Sequence, residues 1–440
     1  MKQSHYNYTI CEAEKIYCFN GLTKQFFSIS QKNEYLLKSI LDSPISIINK
    51  LPHFYNMLIE GGFIIADDVN ELNIIRAKNK EACNSPNYNL VILPTLNCNF
   101  RCWYCYENHT TYKMSEQTVE KIQKYIQNII DNNTIKSLNI EWFGGEPFLH
   151  FKNIIKPISL YAKNKCQERN ILFSVGATSN GYLINEKIAK EFVDIDFKHI
   201  QITLDGEKSL HDKTRVAPNG SSFEKILKNI NFVCEVNPIV TITIRINYDE
   251  KNFLPSLLFS QIKESIDEKN HHRCSFLLRK VWQVEHVAKA DEKILEFIQL
   301  IKESSFNYNF GDFNMDFMPC YAAHKNMKLI TPYGSIGKCT AKKDFEEQAI
   351  GFINDEGVIK WGNNLPFDDI YATPLFENEK CLNCKKLPLC MGNCPKNIDI
   401  NGNIFIPEEC KGSVNDLNLS DAILNYCKMN EMLTLKTESM

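Results

Sequence analysis

Leu96-Asn97-Cys98-Asn99-Phe100-Arg101-Cys102-Trp103-Tyr104-Cys105-Tyr106 follows directly on an apolar run, residues 91–95, that reads as a β-strand. Its cysteines are spaced C-x3-C-x2-C on a loop predicted to leave the C-terminal end of that strand. Three close thiolates suit a cubane iron–sulfur cluster, because sulfur is its preferred ligand and a short loop wraps one face of it. Three ligands for four irons leave one coordination position open, which a catalytic metal needs and a structural site lacks. Half of a zinc site, or three packed thiols, is the other reading of this spacing.

Outward from this loop the chain alternates short apolar strands with amphipathic helices. Strands are expected at 91–95, 138–143, 172–177, 199–204, 239–246 and 274–280. Helices are expected near 115–131, 152–165, 185–192, 222–233 and 253–266, with another near 291–304 closing the unit. Six strands alternating with helices make an α/β unit with a parallel sheet and crossover helices, curved into a partial barrel. In such a sheet the site lies at the C-terminal strand ends.

Ahead of this unit, residues 1–80 read as a small α+β domain. Asn20-Gly21 lies between β-forming runs 16–19 and 26–29 and signals a hairpin. Helices follow near 33–41 and 48–60, then Gly61-Gly62 and a short strand or wing at 63–65. Residues 77–88 are polar, contain a proline and read as a linker. The domains expected are therefore 1–80, 81–310 and 311–440, the last loop-rich with hairpins at 328–338 and 351–361.

Composition narrows the classes. The chain has 440 residues, 23% of them charged, a net charge of −3 and 17 cysteines. That excludes a disordered chain and a basic nucleic-acid coat. The polar start and the lack of a long apolar run predict neither a signal peptide nor a membrane span, hence no disulfide scaffold. A cytoplasmic protein without nucleic-acid or membrane partners is expected.

Three further segments fall at predicted strand ends. Gly144-Gly145-Glu146-Pro147 follows the second strand, where glycines let backbone approach a ligand and Glu146 can accept from an ammonium. Thr178-Ser179-Asn180-Gly181 follows the third and is an ordinary turn signal by itself. Thr203-Leu204-Asp205-Gly206 follows the fourth, with His211-Asp212 and Arg215 soon after. With the cysteine loop and the aromatic Tyr104 before its last cysteine, these segments resemble the radical S-adenosylmethionine (SAM) superfamily.

That resemblance implies a partial (β/α)6, TIM-like barrel and a [4Fe–4S] cluster on Cys98, Cys102 and Cys105. The open iron would bind the amino and carboxylate groups of SAM, and an electron would cleave it to a 5′-deoxyadenosyl radical. Gly144, Gly145 and Glu146 would meet the methionyl amine, and Thr203, standing for the usual Ser, the ribose. Arg215 would grip the carboxylate in bidentate fashion. Tyr104, Ser179, Asn180 and Asp205 complete the expected SAM contacts, and His211 is expected to be structural.

A second array closes the chain: Cys320, Cys339 after Gly334, then Cys381-x2-Cys384-x5-Cys390-x3-Cys394, and Cys410. A C-x2-C pair alone reads equally as a zinc knuckle. The seven together resemble the SPASM domain of radical SAM peptide-modifying enzymes, which implies two auxiliary [4Fe–4S] clusters. By that resemblance Cys381, Cys384, Cys390 and Cys410 hold one. Cys320, Cys339 and Cys394 hold the other, nearer SAM. Some relatives supply an eighth cysteine where this chain has Asn314. The inner cluster would then keep an iron for a substrate thiolate, unless Asp316 fills it. Cys11, Cys18, Cys83, Cys166, Cys234, Cys274 and Cys427 read as small apolar residues.

Three functions share these features. A maturase of ribosomally made peptides would form a thioether or related crosslink. It would dock a leader peptide on residues 1–80 by strand addition and take electrons from reduced flavodoxin or ferredoxin. An anaerobic sulfatase-maturating enzyme would carry an Asp as base after the cysteine at 339, where this chain has Thr340, and would lack the N-terminal domain. An iron–sulfur electron carrier or redox sensor has no use for a SAM site. The oxygen lability of exposed clusters implies an anaerobic setting.

Overall fold

The computed structural model describes residues 1–132, 134–249, 251–284, 290–307, 319–406 and 419–438. Six parallel strands form its centre: β1 (Asn87–Ile92), β2 (Ser137–Trp142), β3 (Leu172–Ser179), β4 (Phe197–Thr203), β5 (Thr241–Tyr248) and β6 (Cys274–Lys280). They lie side by side in chain order, each parallel to its neighbours. Helices α1 (Glu116–Asn132), α2 (Lys156–Glu168), α3 (Glu186–Glu191), α4 (Phe223–Val236) and α5 (Pro255–Ser265) supply the crossovers, and α6 (Ala290–Lys302) follows β6. This is the expected α/β arrangement. One boundary differs: a wide helical turn at Phe151–Ile155 precedes α2, where Pro157 cannot donate to the preceding turn.

Alternation decides which side faces the core. On β5, Ile242, Ile244 and Ile246 are fully buried against the helix layer. Each contributes roughly 1.5–3 kcal/mol by leaving water. The intervening Thr243, Arg245 and Asn247 share the other face. The same holds on β2, where Leu138, Ile140 and Trp142 are buried and Asn139 and Glu141 alternate with them. Parallel strands usually read as continuous apolar runs. Here the polar residues alternate onto one face of the strand.

Four more strands extend the sheet past β1. β7 (Met327–Ile330) pairs parallel with β1, and β8 (Ser335–Gly337), β9 (Gly351–Ile353) and β10 (Ile359–Trp361) add antiparallel. Both hairpins expected beyond residue 311 are present. They grow from the edge of the barrel sheet, so among the described residues the central sheet is mixed and ten-stranded.

The N-terminal segment holds an antiparallel sheet of Asn7–Glu12, Lys15–Asn20 and Phe26–Ser30. Helices Glu34–Asp42 and Pro52–Glu60 and a two-residue strand, Ile64–Ile65, follow. The hairpin at Asn20-Gly21 is present, and the Asn7–Glu12 strand was not anticipated. The linker expected at 77–88 is overturned. Helix Glu71–Cys83 runs through most of it, its first turn capped by Asn70 and its inner face, Ile75, Ala82 and Cys83, buried. Strand β1 also starts four residues early, because β2 and β7 pair with it from Asn87 and Asn89. A C-terminal helix, Leu419–Glu438, was missed as well. It packs Tyr426 on Phe19 and Phe26, and its Glu431 accepts from Ser28.

Candidate active site

The strand ends converge on one cavity of about 240 Å³. Cys98, Cys102, Tyr104, Cys105, Gly144, Gly145, Ser179, Asn180, Thr203 and Arg215 all line it. Residues expected at the site from five separate segments therefore meet. Glu146 and Asp205 do not line the cavity. Both are fully buried just behind it.

The cysteine loop is fixed by contacts far away in the chain. Arg101 and Cys102 pair antiparallel with Val216 and Arg215, which sets Arg215 directly opposite Cys102. Asn180 donates to Asn99 at 2.8 Å and lies 3.8 Å from the Cys98 sulfur. The glycine turn presses on the same loop. A Cβ on Gly145, at φ +23°, would come within 2.0 Å of the Asn97 carbonyl oxygen. One on Gly144, at φ +84°, would meet Leu93 at 2.7 Å. Only glycine permits that approach.

Glu146 is committed elsewhere in this structure. Its carboxylate accepts from the Ser179 hydroxyl at 2.9 and 3.0 Å, the Asn180 amide at 2.8 Å and the Phe148 amide at 3.0 Å. Burial pushes it up to about 7, and these donors pull against that shift. The acidic side chain that does face the cavity is Glu107, which accepts from the Gly145 amide at 2.6 Å. Burial pushes Glu107 up to about 7 as well.

Asp205 positions rather than lines. It accepts from Tyr104, from Arg215 Nη1 at 3.1 Å and from the Asn247 amide at 2.8 Å. Arg215 also donates to the Tyr104 hydroxyl at 2.5 Å, and Asn247 Nδ2 reaches that hydroxyl at 3.2 Å. His211 sits beneath. Its Nδ1 accepts from the Asp205 amide at 3.1 Å, so its proton is on Nε2, facing Ser222 at 3.0 Å. Burial, then Arg215, lowers it to about 3, so it is neutral and holds the turn.

The residues present suit a cluster and SAM. Cys98, Cys102 and Cys105 are in no disulfide, and their soft sulfurs share one cavity. Burial keeps the Cys98 thiol protonated, up to about 12, until a metal displaces the proton. Arg215 Nε is buried without a hydrogen-bond partner among the described residues, a donor left over for a carboxylate. Gly144 and Gly145 leave backbone at the cavity wall where a side chain would fill it.

The second array reaches the same cavity. Thr340 and Ala341, next to Cys339, line it, and the Tyr106 hydroxyl donates to the Thr340 carbonyl at 2.9 Å. Cys320, Cys339 and Cys394 are near enough to act on one another's thiols. Burial raises Cys320 to about 11, and the other two add to that shift. Cys381 and Cys390 are partly buried on short helices, and Cys384, also partly buried, lies between those helices and acts on the ring hydroxyls of Tyr6 and Tyr8. Cys410, Asn314 and Asp316 lie outside the described residues. Of the remaining cysteines, Cys18, Cys83, Cys166, Cys234, Cys274 and Cys427 are buried as expected. Cys11 is exposed: it stands on an outer strand of the N-terminal sheet.

Sequence reasoning passed over Glu107, Gln201, Arg245 and Asn247, all of which line the cavity. A signal existed for the last two. Arg and Asn at alternate positions in Thr-Ile-Thr-Ile-Arg-Ile-Asn-Tyr mark a polar face on a strand that should be buried on both.

Comparison with known proteins supports this fold. Residues 92–254 match the Radical SAM superfamily. A cysteine-type anaerobic sulfatase-maturating enzyme of Clostridium novyi is 25% identical over 337 residues, 69% of this chain and 87% of its own. The radical SAM cyclopropyl synthase TigE of Paramaledivibacter caminithermalis is 24% identical over 426 residues, 88% of this chain and 84% of its own. The solved structure of native anSMEcpe with bound AdoMet superposes with a TM-score of 0.56 at 16% identity, covering 80% of this chain and 100% of its own. Residues 92–254 of this chain are therefore a radical SAM domain, and the cavity lies at its strand ends.

Proposed function

We propose that this chain is a radical SAM peptide maturase that joins a cysteine sulfur to a carbon of a ribosomally made precursor. The observation that carries the reading is the shared cavity: the cysteine loop, the glycine turn, Arg215 and the Thr340–Ala341 segment beside Cys339 line one space. When bound on a reduced [4Fe–4S] cluster, SAM supplies the means of removing hydrogen from an unactivated carbon. The chain's own groups do the rest. Cys98, Cys102 and Cys105 hold the cluster. Gly144, Gly145 and Glu107 offer backbone and carboxylate to the methionyl amine, and Arg215 offers its unused Nε to the carboxylate. Glu146 and Asp205 hold these groups in place from behind.

Residues 311–440 act as the SPASM domain, with auxiliary clusters on Cys320, Cys339 and Cys394 and on Cys381, Cys384, Cys390 and Cys410. The seven-thiol count supports the thioether, since it leaves an inner iron for the substrate sulfur. Residues 1–80 dock the leader. Asn7–Glu12 and Phe26–Ser30 are the outer strands of their sheet, and an outer strand offers backbone groups to an added one. Reduced flavodoxin or ferredoxin delivers the electrons. The sulfatase-maturating alternative is disfavoured by Thr340 at the position of the expected base. TigE, a cyclopropyl synthase, matches over 88% of this chain, against 69% for the sulfatase-maturating enzyme of Clostridium novyi.

The test is co-expression with a small cysteine-bearing open reading frame from beside the gene. The expected product has lost two hydrogens and one alkylatable thiol. A product with formylglycine, or reductant-driven assays yielding no 5′-deoxyadenosine, would sink the reading. Hydrogen exchange should slow in Asn7–Glu12 or Phe26–Ser30 when the peptide is added.

A further inference from the structure

Two arginines flank Tyr104, and they differ in their partners. Arg215 has a carboxylate, with Nη1 3.1 Å from Asp205. Arg245 has Asn247: its Nε donates to Oδ1 at 2.8 Å. Among the described residues it forms no ion pair. Burial works most against its charge, then Arg279, of the same sign, and Tyr104, Tyr106 and Asp205 offset them more weakly. A guanidinium does not escape by losing its proton. A charge held in a protein cavity beside a like charge is costly unless an anion completes it.

Its place in the fold says what that anion belongs to. Arg245 stands on β5 in register with Thr203 of β4, and lines the cavity with Thr178, Gln201 and Lys280. The glycine turn follows β2, three strands away. SAM carries one carboxylate against a sulfonium and an ammonium, and Arg215 Nε is the unused donor beside the cysteine loop. SAM thus brings no second anion for Arg245. The cluster would sit at the cysteine loop, which Arg215 faces, so the group left to meet Arg245 is the substrate.

We propose that Arg245 anchors a carboxylate of the substrate peptide, either an Asp or Glu side chain near the modified residue or the peptide's own C-terminus. This rests on the peptide-maturase reading above. The planar fork of Arg suits a carboxylate in bidentate fashion, so Lys is an incomplete substitute.

The experiment uses the full chain, reconstituted with its clusters and saturated with SAM. Equilibrium dialysis measures retention of three labelled probes: acetyl-Gly-Glu-Gly-amide, acetyl-Gly-Gln-Gly-amide and acetyl-Gly-Gly-Gly with a free C-terminus. The wild-type chain is expected to hold one acidic probe about tenfold more tightly than the Gln probe. Whichever acidic probe it holds identifies the source of the carboxylate. Arg245→Gln should abolish the preference and Arg245→Lys should keep part of it. Equal retention of all three probes by the wild type overturns the proposal without any variant. So does a preference that survives Arg245→Gln, or an Arg245→Gln chain that loses labelled SAM rather than the probe. Because no turnover is needed, failure of the maturase reading is seen separately, as an unmodified precursor on co-expression.

Discussion

Cys98, Cys102 and Cys105 lie on one loop, whereas Cys320, Cys339 and Cys394 come from three separated segments. The loop is set by contacts at its own edge: the pairing with Arg215–Val216 and the press of Gly145 on Asn97. The second group is set by architecture. Strands β7 and β8 continue the barrel sheet and place Cys339 beside the cavity. Beneath them Lys328 and Lys338, both buried, share Asp368 at 2.9 and 3.0 Å. The first region thus pairs one cation with one carboxylate, Arg215 with Asp205. The second asks one carboxylate to serve two cations. Local geometry protects the first, and the integrity of the extended sheet protects the second.

The strongest way to break this contrast is to remove one thiol from each region. Cys102→Ser should abolish reductant-driven 5′-deoxyadenosine formation. Cys394→Ser should lower bound iron while SAM cleavage stays measurable. Iron content and product measured on one preparation decide it, and equal loss of cleavage in both would show that the regions are not independent.

Next come the carboxylates. Asp205→Asn leaves Arg215 buried and uncompensated, at a cost of about 3–5 kcal/mol. That cost should not vary with pH, since Arg keeps its proton. Asp368→Asn should behave differently. Burial, then Lys328, already lowers Lys338 to about 7. Between about 7 and the ordinary lysine value, the unfolded chain holds the proton that the folded chain has released, so stability rises with pH across that window. Losing Asp368 removes what favours the Lys338 charge, so the rise should set in below about 7, and the variant's deficit should shrink as pH climbs to about 7 and stay level above it. Urea midpoints from pH 6 to 9.5 test both.

Smaller effects separate close approach from backbone conformation. Gly145→Ala drives a Cβ into backbone and should cost about 2–3 kcal/mol and weaken SAM retention. Gly334→Ala, at φ +85° with its nearest neighbour at 3.5 Å, should cost about 1 kcal/mol and leave SAM retention alone. Smallest is Asn378→Ala. Asn378 Oδ1 accepts from the Cys381 amide at 3.0 Å, and the lost cap should cost about 1 kcal/mol in a thermal melt.

Legibility in the sequence follows the same divide. The six barrel strands and their helices were readable because period-2 and period-3.6 patterns alternate cleanly. The cysteine loop, the glycine turn and Arg215 were readable because each is a compact motif. The helix over 71–83 was hidden, since its polar face resembles a linker until Ile75 and Cys83 find a surface to bury against. The roles of Glu146 and Asp205 were also hidden. A side chain's identity does not say whether it faces the cavity or supports the residues that do. Arg245 was visible as an anomaly in its strand, but its lack of a carboxylate depends on which side chains the barrel brings near.

By itself, then, the sequence determined the α/β alternation, the strand ends that carry the motifs and the thiols available to metal. These depend on local periodicity and short spacings, which the chain carries wherever it folds. Only the tertiary structure decided which residues share a cavity. It set Arg215 opposite Cys102, turned Glu146 away and left Glu107 facing in, and joined β7 to β1 so that the second cysteine group adjoins the first. The reason is physical: strand register and burial are settled between segments far apart in the chain, and no local pattern encodes the partner.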